Sequence, residues 1–198
     1  MRKGIVMIWL FVLLFGIITL FWYNEWKYSL PTPVPESYVA INTGAKIQLP
    51  ESLKAYSNKP IFLHFFNPDC PCSRFNIEHV KSLIKQYGND ASFAVILMTG
   101  KNYSEKEIQR RFDLNVMVVR DSSIAALCGV YSTPQAVIID TQHKLFFRGN
   151  YNRSRYCTNK NSNYAQIALE ALLHNNYAIT TNPNAVKAYG CQLPNCKK

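Results

Sequence analysis

Cys70 and Cys72 are separated by a single proline in the stretch FFNPDCPCSRF, Phe65 to Phe75. Two thiols at that spacing suit a redox pair, a clamp for a soft metal ion, or two unrelated side chains. A disulfide needs Cα atoms roughly 4.4–6.8 Å apart and a restricted torsion. Residues i and i+2 meet that distance in a turn, but the small ring is strained. Strain makes a disulfide easier to reduce, and so more oxidising. The pair is therefore expected to be oxidising or isomerising, or else its sulfurs have partners elsewhere.

The flanking sequence says how the two thiols are positioned. KPIFLHFF reads as a buried strand stopped by the turn residues Asn67, Pro68 and Asp69. From Cys72 onward, Phe75, Ile77, Val80, Leu83 and Ile84 recur at helical spacing, and Gly88 supplies a stop. The cysteines thus fall at a strand-to-helix junction. Pro71 suits the first helical position, where its missing N–H costs nothing. Cys70 becomes the N-cap and Cys72 enters the first turn. Helix N–H groups and the positive end of the dipole favour a thiolate there. Cys70 is expected to be the more exposed nucleophile and Cys72 its resolving partner.

Further along, SFAVILMTG and VMVVRD read as strands. SEKEIQRRFDL reads as a short helix with Ser104 and Glu107 at capping-box spacing. SSIAALCGV is another short helix. STPQAVIIDTQHKLFFRGNY is a hairpin turning near Thr141 to Lys144. NYAQIALEALLHNN is an amphipathic helix, and the tail AYGCQLPNCKK is read as irregular. The order β-α-β-α-β-α-β-β-α predicts an α/β sandwich. Its sheet is partly parallel, with helices on both faces and a closing antiparallel hairpin.

The 198 residues allow one domain plus extras. After Met1, Arg2 and Lys3 the chain is uncharged from Gly4 to Tyr23, enough for a helix crossing about 30 Å of hydrocarbon. Trp22, Tyr23, Trp26 and Tyr28 follow as an aromatic belt. Positive charge precedes the run, so the N-terminus is expected in the cytoplasm and the rest outside it. A cleaved signal peptide is the alternative, but the run is longer than a usual apolar core and no small-x-small site follows. Pro31, Pro33 and Pro35 suggest an extended spacer. The expected organisation is an anchor at 1–27, a linker at 28–37, a folded domain at 38–176 and a cysteine-containing tail at 177–198. The net charge is +10, yet the basic residues are scattered and match no nucleic-acid motif. Nucleic acid is therefore not an expected partner. The local group Arg148, Arg153, Arg155 and Lys160 suits an acidic partner or anionic lipid heads, or is a solvated face.

The pairing of NPDCPC with GVYSTPQAVIID and KLFFRGNY resembles the thioredoxin superfamily, in particular its membrane-anchored, extracytoplasmic TlpA/ResA-like and redoxin group. The resemblance covers about Lys59 to Leu173. It implies a three-layer sandwich around a central mixed sheet. It also implies a cis Thr133–Pro134 bond lying against the cysteines and helping to bind extended substrate backbone. It implies thiol–disulfide exchange with protein substrates and a redox partner protein, without a cofactor. It places the domain in the periplasm and the N-terminal helix in inner-membrane lipid. His64, six residues before Cys70, matches the place where many thioredoxin-like proteins set a buried polar group beneath the disulfide. There it assists proton transfer to the resolving thiol; equally, it is a histidine satisfied within an aromatic core. C-P-C is one residue shorter than C-x-x-C. Aligning Pro71-Cys72 with the family's Pro-Cys puts Asp69 in the nucleophile's place.

Six cysteines lie beyond the apolar run, and an extracytoplasmic setting permits disulfides among them. Cys128 reads as a buried thiol acting as a small hydrophobe, with a shuttle role as the alternative. Cys157, Cys191 and Cys196 are expected to be structural: the last two close a local loop, or one pairs with Cys157. A relay from Cys70 is the alternative. His143 is expected in the hairpin turn. Cys70 and Cys72 as Cu(I) ligands form a second function class, although no histidine stands near Thr133–Pro134. A thiol peroxidase lacks its threonine three residues before the cysteine, and a catalytically silent adaptor is the remaining reading.

Overall fold

The apolar run ahead of the cysteines becomes β1 (Ile61–Phe66), and all six of its side chains are buried. It is the middle strand of a five-stranded sheet. β2 (Ser92–Leu97) pairs with it in parallel, and β3 (Met117–Val119) continues in parallel beyond β2. On the other side β5 (Gln135–Ile139) pairs antiparallel, followed by antiparallel β6 (Leu145–Gly149). The order is β3-β2-β1-β5-β6. A strand covered on both faces has no polar alternation, which is why β1 reads as a continuous apolar run. The computed structural model describes residues 2–54, 58–153, 157, 159–176 and 182–193.

Phe62, Phe66, Val95 and Ile138 face α4 (Ile77–Tyr87), α5 (Glu105–Phe112) and α7 (Tyr164–Leu173). Leu63, Phe65, Ile96 and Val137 face α2 (Glu51–Lys54) and α6 (Ser123–Cys128). The result is the thioredoxin-like three-layer sandwich expected from the sequence. Ser104 caps α5 by accepting the Glu107 N–H at 3.2 Å.

Three local features differ from expectation. The helix predicted from Cys72 to Gly88 is split into α3 (Pro71–Arg74) and α4. Asn76 ends the first segment: its side chain donates to Cys72 O at 3.2 Å, and its N–H to Ser73 O at 3.2 Å. A side chain competing for main-chain groups in this way interrupts the helical ladder. Only one helical turn follows Cys70.

The tail is not irregular. It forms α8 (Pro183–Val186) and β7 (Cys191–Gln192). β7 pairs antiparallel with β4 (Ser132–Thr133), which sets Cys191 opposite Thr133. Gly190 permits this approach: a Cβ there would stand 2.1 Å from Thr133 O. Asn150 fixes the tail further, donating from its side chain to Asn184 O at 2.9 Å and Lys187 O at 2.6 Å.

The linker, expected as an extended spacer, is also bonded to the tail. Thr32 is buried, its N–H donating to Ala188 O at 2.8 Å and its hydroxyl to Gly190 O at 2.6 Å. It follows α1 (Arg2–Ser29), in which the most apolar 18 residues of Arg2–Lys27 have a mean hydropathy of 2.8 and are not covered by the rest of the chain. That helix is long and apolar enough to cross a membrane.

Candidate functional site

The turn before α3 delivers Cys70. Asp69 N–H donates to Asn67 Oδ1 at 3.0 Å and Cys70 N–H to Asn67 O at 3.1 Å. Cys70 is the N-cap in extended conformation, and Pro71 opens the helix. From the other end of the chain, β7 brings in Cys191. Its sulfur lies 2.6 Å from Cys70 Sγ and 3.2 Å from Cys72 Sγ. All three sulfurs fall within 4.8 Å of one another.

Their burial reverses one expectation. Cys70 is 0% exposed, Cys72 5% and Cys191 3%. Cys70 is therefore not the more exposed thiol, because the tail strand covers it. Cys72 is the one that lines a cavity of about 280 Å³, together with Asn76, Pro134, Tyr151, Gly190 and Ser29. The Thr133–Pro134 bond is cis, and Thr133 is fully buried. Cys70, Cys72, Thr133 and Pro134 thus come together, joined by Cys191. Hydrogen bonding to Cys70 and to Cys72, with burial behind it, pushes the Cys191 thiol far up. Its sulfur accepts from Cys70 and donates its proton towards Cys72.

Asp69 points elsewhere. Burial pushes its pKa up, but hydrogen bonds from Tyr103 at 2.8 Å, Lys101 at 3.1 Å and Thr99 outweigh this and hold it below the usual carboxylate range. The carboxylate that an alternative alignment sets in the nucleophile's place is committed to those partners.

His64 lies apart from the sulfurs in its contacts. Its Nδ1 shares a 2.7 Å hydrogen bond with the Tyr151 hydroxyl, and Nε2 has no partner among the described residues. Burial lowers its pKa from 6.5 to about 3, so the ring is neutral throughout the range where the sequence reading expects it to titrate. Its connection to the cavity runs through Tyr151. Between pH 6.5 and pH 3 the unfolded chain binds a proton that the folded His64 refuses. Stability is therefore expected to fall as pH drops through this window, by up to about 1.4 kcal/mol per unit, and to be flat in this respect above it. His79, lowered by burial as well, acts in the same direction. Denaturant midpoints measured from neutral to acid pH check this. His64→Gln should flatten the slope, and an unchanged slope would assign it to other groups.

The remaining cysteines are separate. Burial pushes Cys128 up to about 12, against the pull of the Arg148 charge, and so disfavours its thiolate. Burial likewise raises Cys157 to about 12, and its sulfur donates to Asn76 Oδ1 at 2.9 Å rather than meeting Cys191. Cys196 and Arg155 lie outside the described residues. Arg148 is not part of a free basic face, since Nη1 donates to Ile41 O at 3.0 Å and Cys128 O at 3.3 Å. Sequence reasoning offered Cys191 only as the alternative of a relay from Cys70, and it missed Tyr151 and Asn150 as site neighbours. The signal that could have singled out Cys191 among the tail cysteines was the glycine immediately before it.

Known proteins resemble the chain at the level of fold. The crystal structure of a hypothetical protein from Sinorhizobium meliloti superposes with a TM-score of 0.65 at 17% identity, covering 81% of this chain and 97% of that one. An uncharacterized conserved protein from Geobacillus kaustophilus gives a TM-score of 0.58 at 16% identity, covering 76% and 93%. The thioredoxin domain of a thiol-disulfide oxidoreductase from Bacteroides vulgatus is more distant, at a TM-score of 0.48 and 10% identity over 60% and 96%. Among curated proteins none matches this sequence. Residues 39–194, from just after the proline-rich linker through the strand bearing Cys191, match the family described as a domain of unknown function (DUF6436), and the chain belongs to it.

Proposed function

We propose that the protein is a membrane-anchored, extracytoplasmic thiol–disulfide oxidoreductase acting through Cys70 and Cys72. The observation that carries this reading is the placement of both thiols at the β1–α3 junction, with Cys72 and cis-Pro134 lining one cavity. A cavity-facing thiolate attacks a disulfide sulfur and forms a mixed disulfide, which a neighbouring thiol resolves. Cys72 is the thiol that meets the substrate. The exchange needs no resident cofactor, because the electrons pass between sulfurs. Its partners are protein thiols or disulfides and a protein that resets the site. Arg2 and Lys3 at the start of α1, ahead of its apolar run, favour a cytoplasmic N-terminus and a periplasmic domain, with α1 in the inner membrane.

The test uses the full chain in detergent micelles, equilibrated with reduced and oxidised glutathione, then alkylated and mapped by mass spectrometry. A reversible two-electron change within the site, with catalysed reduction of a disulfide-linked reporter protein, is the expected result. A site that never changes redox state sinks the reading. A second reading is favoured by one observation: three buried sulfurs within 4.8 Å, which suit a soft ion such as Cu(I). Cys70, Cys72 and Cys191 would hold it. One Cu(I) per reduced chain retained against a chelator, without exchange activity, would select this alternative.

A further inference from the structure

Cys191 is the sulfur placed within 3.2 Å of both members of the C-P-C pair. Four devices on other parts of the chain hold it there. β7 pairs with β4, Gly190 lets the strands approach, Asn150 binds the α8 segment, and Thr32 binds Ala188 and Gly190. So much positioning of a two-residue strand has a chemical purpose. A Cys70–Cys72 ring is strained by its short spacing, whereas a bond from Cys191 closes a long loop without that restriction.

We infer that Cys191 is the resolving thiol of this site, and that the stored disulfide joins Cys191 to Cys70 while Cys72 meets the substrate. This rests on the oxidoreductase reading and deepens it. The Cys72 thiolate attacks one sulfur of a protein disulfide in the cavity. The substrate S–S bond breaks, and its other sulfur leaves with the electron pair. Cys191 then loses its proton to the departing thiolate and attacks Cys72 Sγ, releasing the second substrate sulfur. Finally Cys70 gives its proton to that released sulfur, and the Cys70 thiolate attacks Cys191 Sγ. The Cys70–Cys191 bond forms, and the electron pair returns to Cys72. In sum the substrate disulfide gains two electrons and two protons, and Cys70 and Cys191 supply them. A dithiol of the redox partner protein restores the reduced state, and the same steps run backwards for oxidation. The proton on Cys191 fits this order. The hydrogen bond to Cys72 retains it at rest. That hold weakens once the Cys72 sulfur is tied up in a neutral mixed disulfide.

The experiment uses the full chain in detergent micelles, with Cys196→Ser introduced so that a tail cross-link can involve only Cys191. Glutathione buffer sets the redox state, and alkylation with tryptic mapping reads it. Cys70 and Cys72 share one tryptic peptide, and Cys191 lies on another. The expected result is a cross-link between these peptides, located on Cys70, with Cys72 alkylated. Cys191→Ser is expected to lose the cross-link and to retain glutathione on Cys72. A bond confined to the Cys70–Cys72 peptide, with Cys191 alkylated, overturns the inference and leaves the oxidoreductase reading standing. No redox change at any of the three sulfurs overturns both. The mapping with native Cys191 decides the matter whether or not Cys191→Ser folds.

Discussion

Cys72→Ser is expected to slow exchange with a protein disulfide by roughly 10³-fold or more, down to the background set by the buffer thiols. Cys72 is the cysteine that lines the cavity, and serine at that position has no accessible anion to attack sulfur. Cys70→Ser should cost less. Cys72 can still attack and Cys191 can still resolve, although the last exchange step is lost. Steady-state reduction of a disulfide-linked reporter protein by a dithiol measures both variants, with circular dichroism confirming that each is folded. The opposite ranking would make the buried Cys70 the attacking thiol. The tail would then have to leave the body during turnover.

Gly190→Val is expected to detach the tail from the site. A Cβ at this position would meet Thr133 O at 2.1 Å and Ser132 Oγ at 2.6 Å. The nearer atom is main chain held in the β4–β7 pair, so it cannot rotate away. Relief requires β7 to separate from β4, which withdraws Cys191 from Cys70. The overpacking should lower stability by about 1–3 kcal/mol, read as a fall in the denaturant midpoint. In the same variant the Cys70–Cys191 cross-link should give way to a bond within the C-P-C pair or to mixed disulfides. Gly190→Ala should lie between wild type and Gly190→Val. An unchanged midpoint and an unchanged disulfide map would show that the close strand approach is not what holds Cys191.

The central strand, the hairpin and the Ser104 cap were legible because each leaves a short-range pattern. β1 is apolar on both faces, and Ser104 meets Glu107 within one turn. The break after α3 was not legible. Phe75 fits the helical spacing yet is 42% exposed, because Asn76 diverts the ladder through hydrogen bonds that periodicity does not register. Cys191 was hidden for a different reason. Its partners lie 119 and 121 residues away, and β7 is too short to show strand alternation. The neutral state of His64 depends on how completely the sheet and Tyr151 enclose it. That is a property of the packed core, and residue identity alone assigns the ring an ordinary titration.

Thr32 bears on how the protein finds its partners. α1 ends at Ser29, and three residues later the chain is already bonded to the carbonyls of Ala188 and Gly190. Three residues of fully extended chain reach at most about 11 Å. On the proposed anchored reading, the domain rides at a fixed height above the bilayer instead of sweeping a volume on a tether. Its search is then two-dimensional. A partner confined to the same membrane, presenting its cysteines at that height, meets the cavity at a high effective concentration. A freely diffusing protein has no such advantage, so selectivity can come from altitude as much as from affinity.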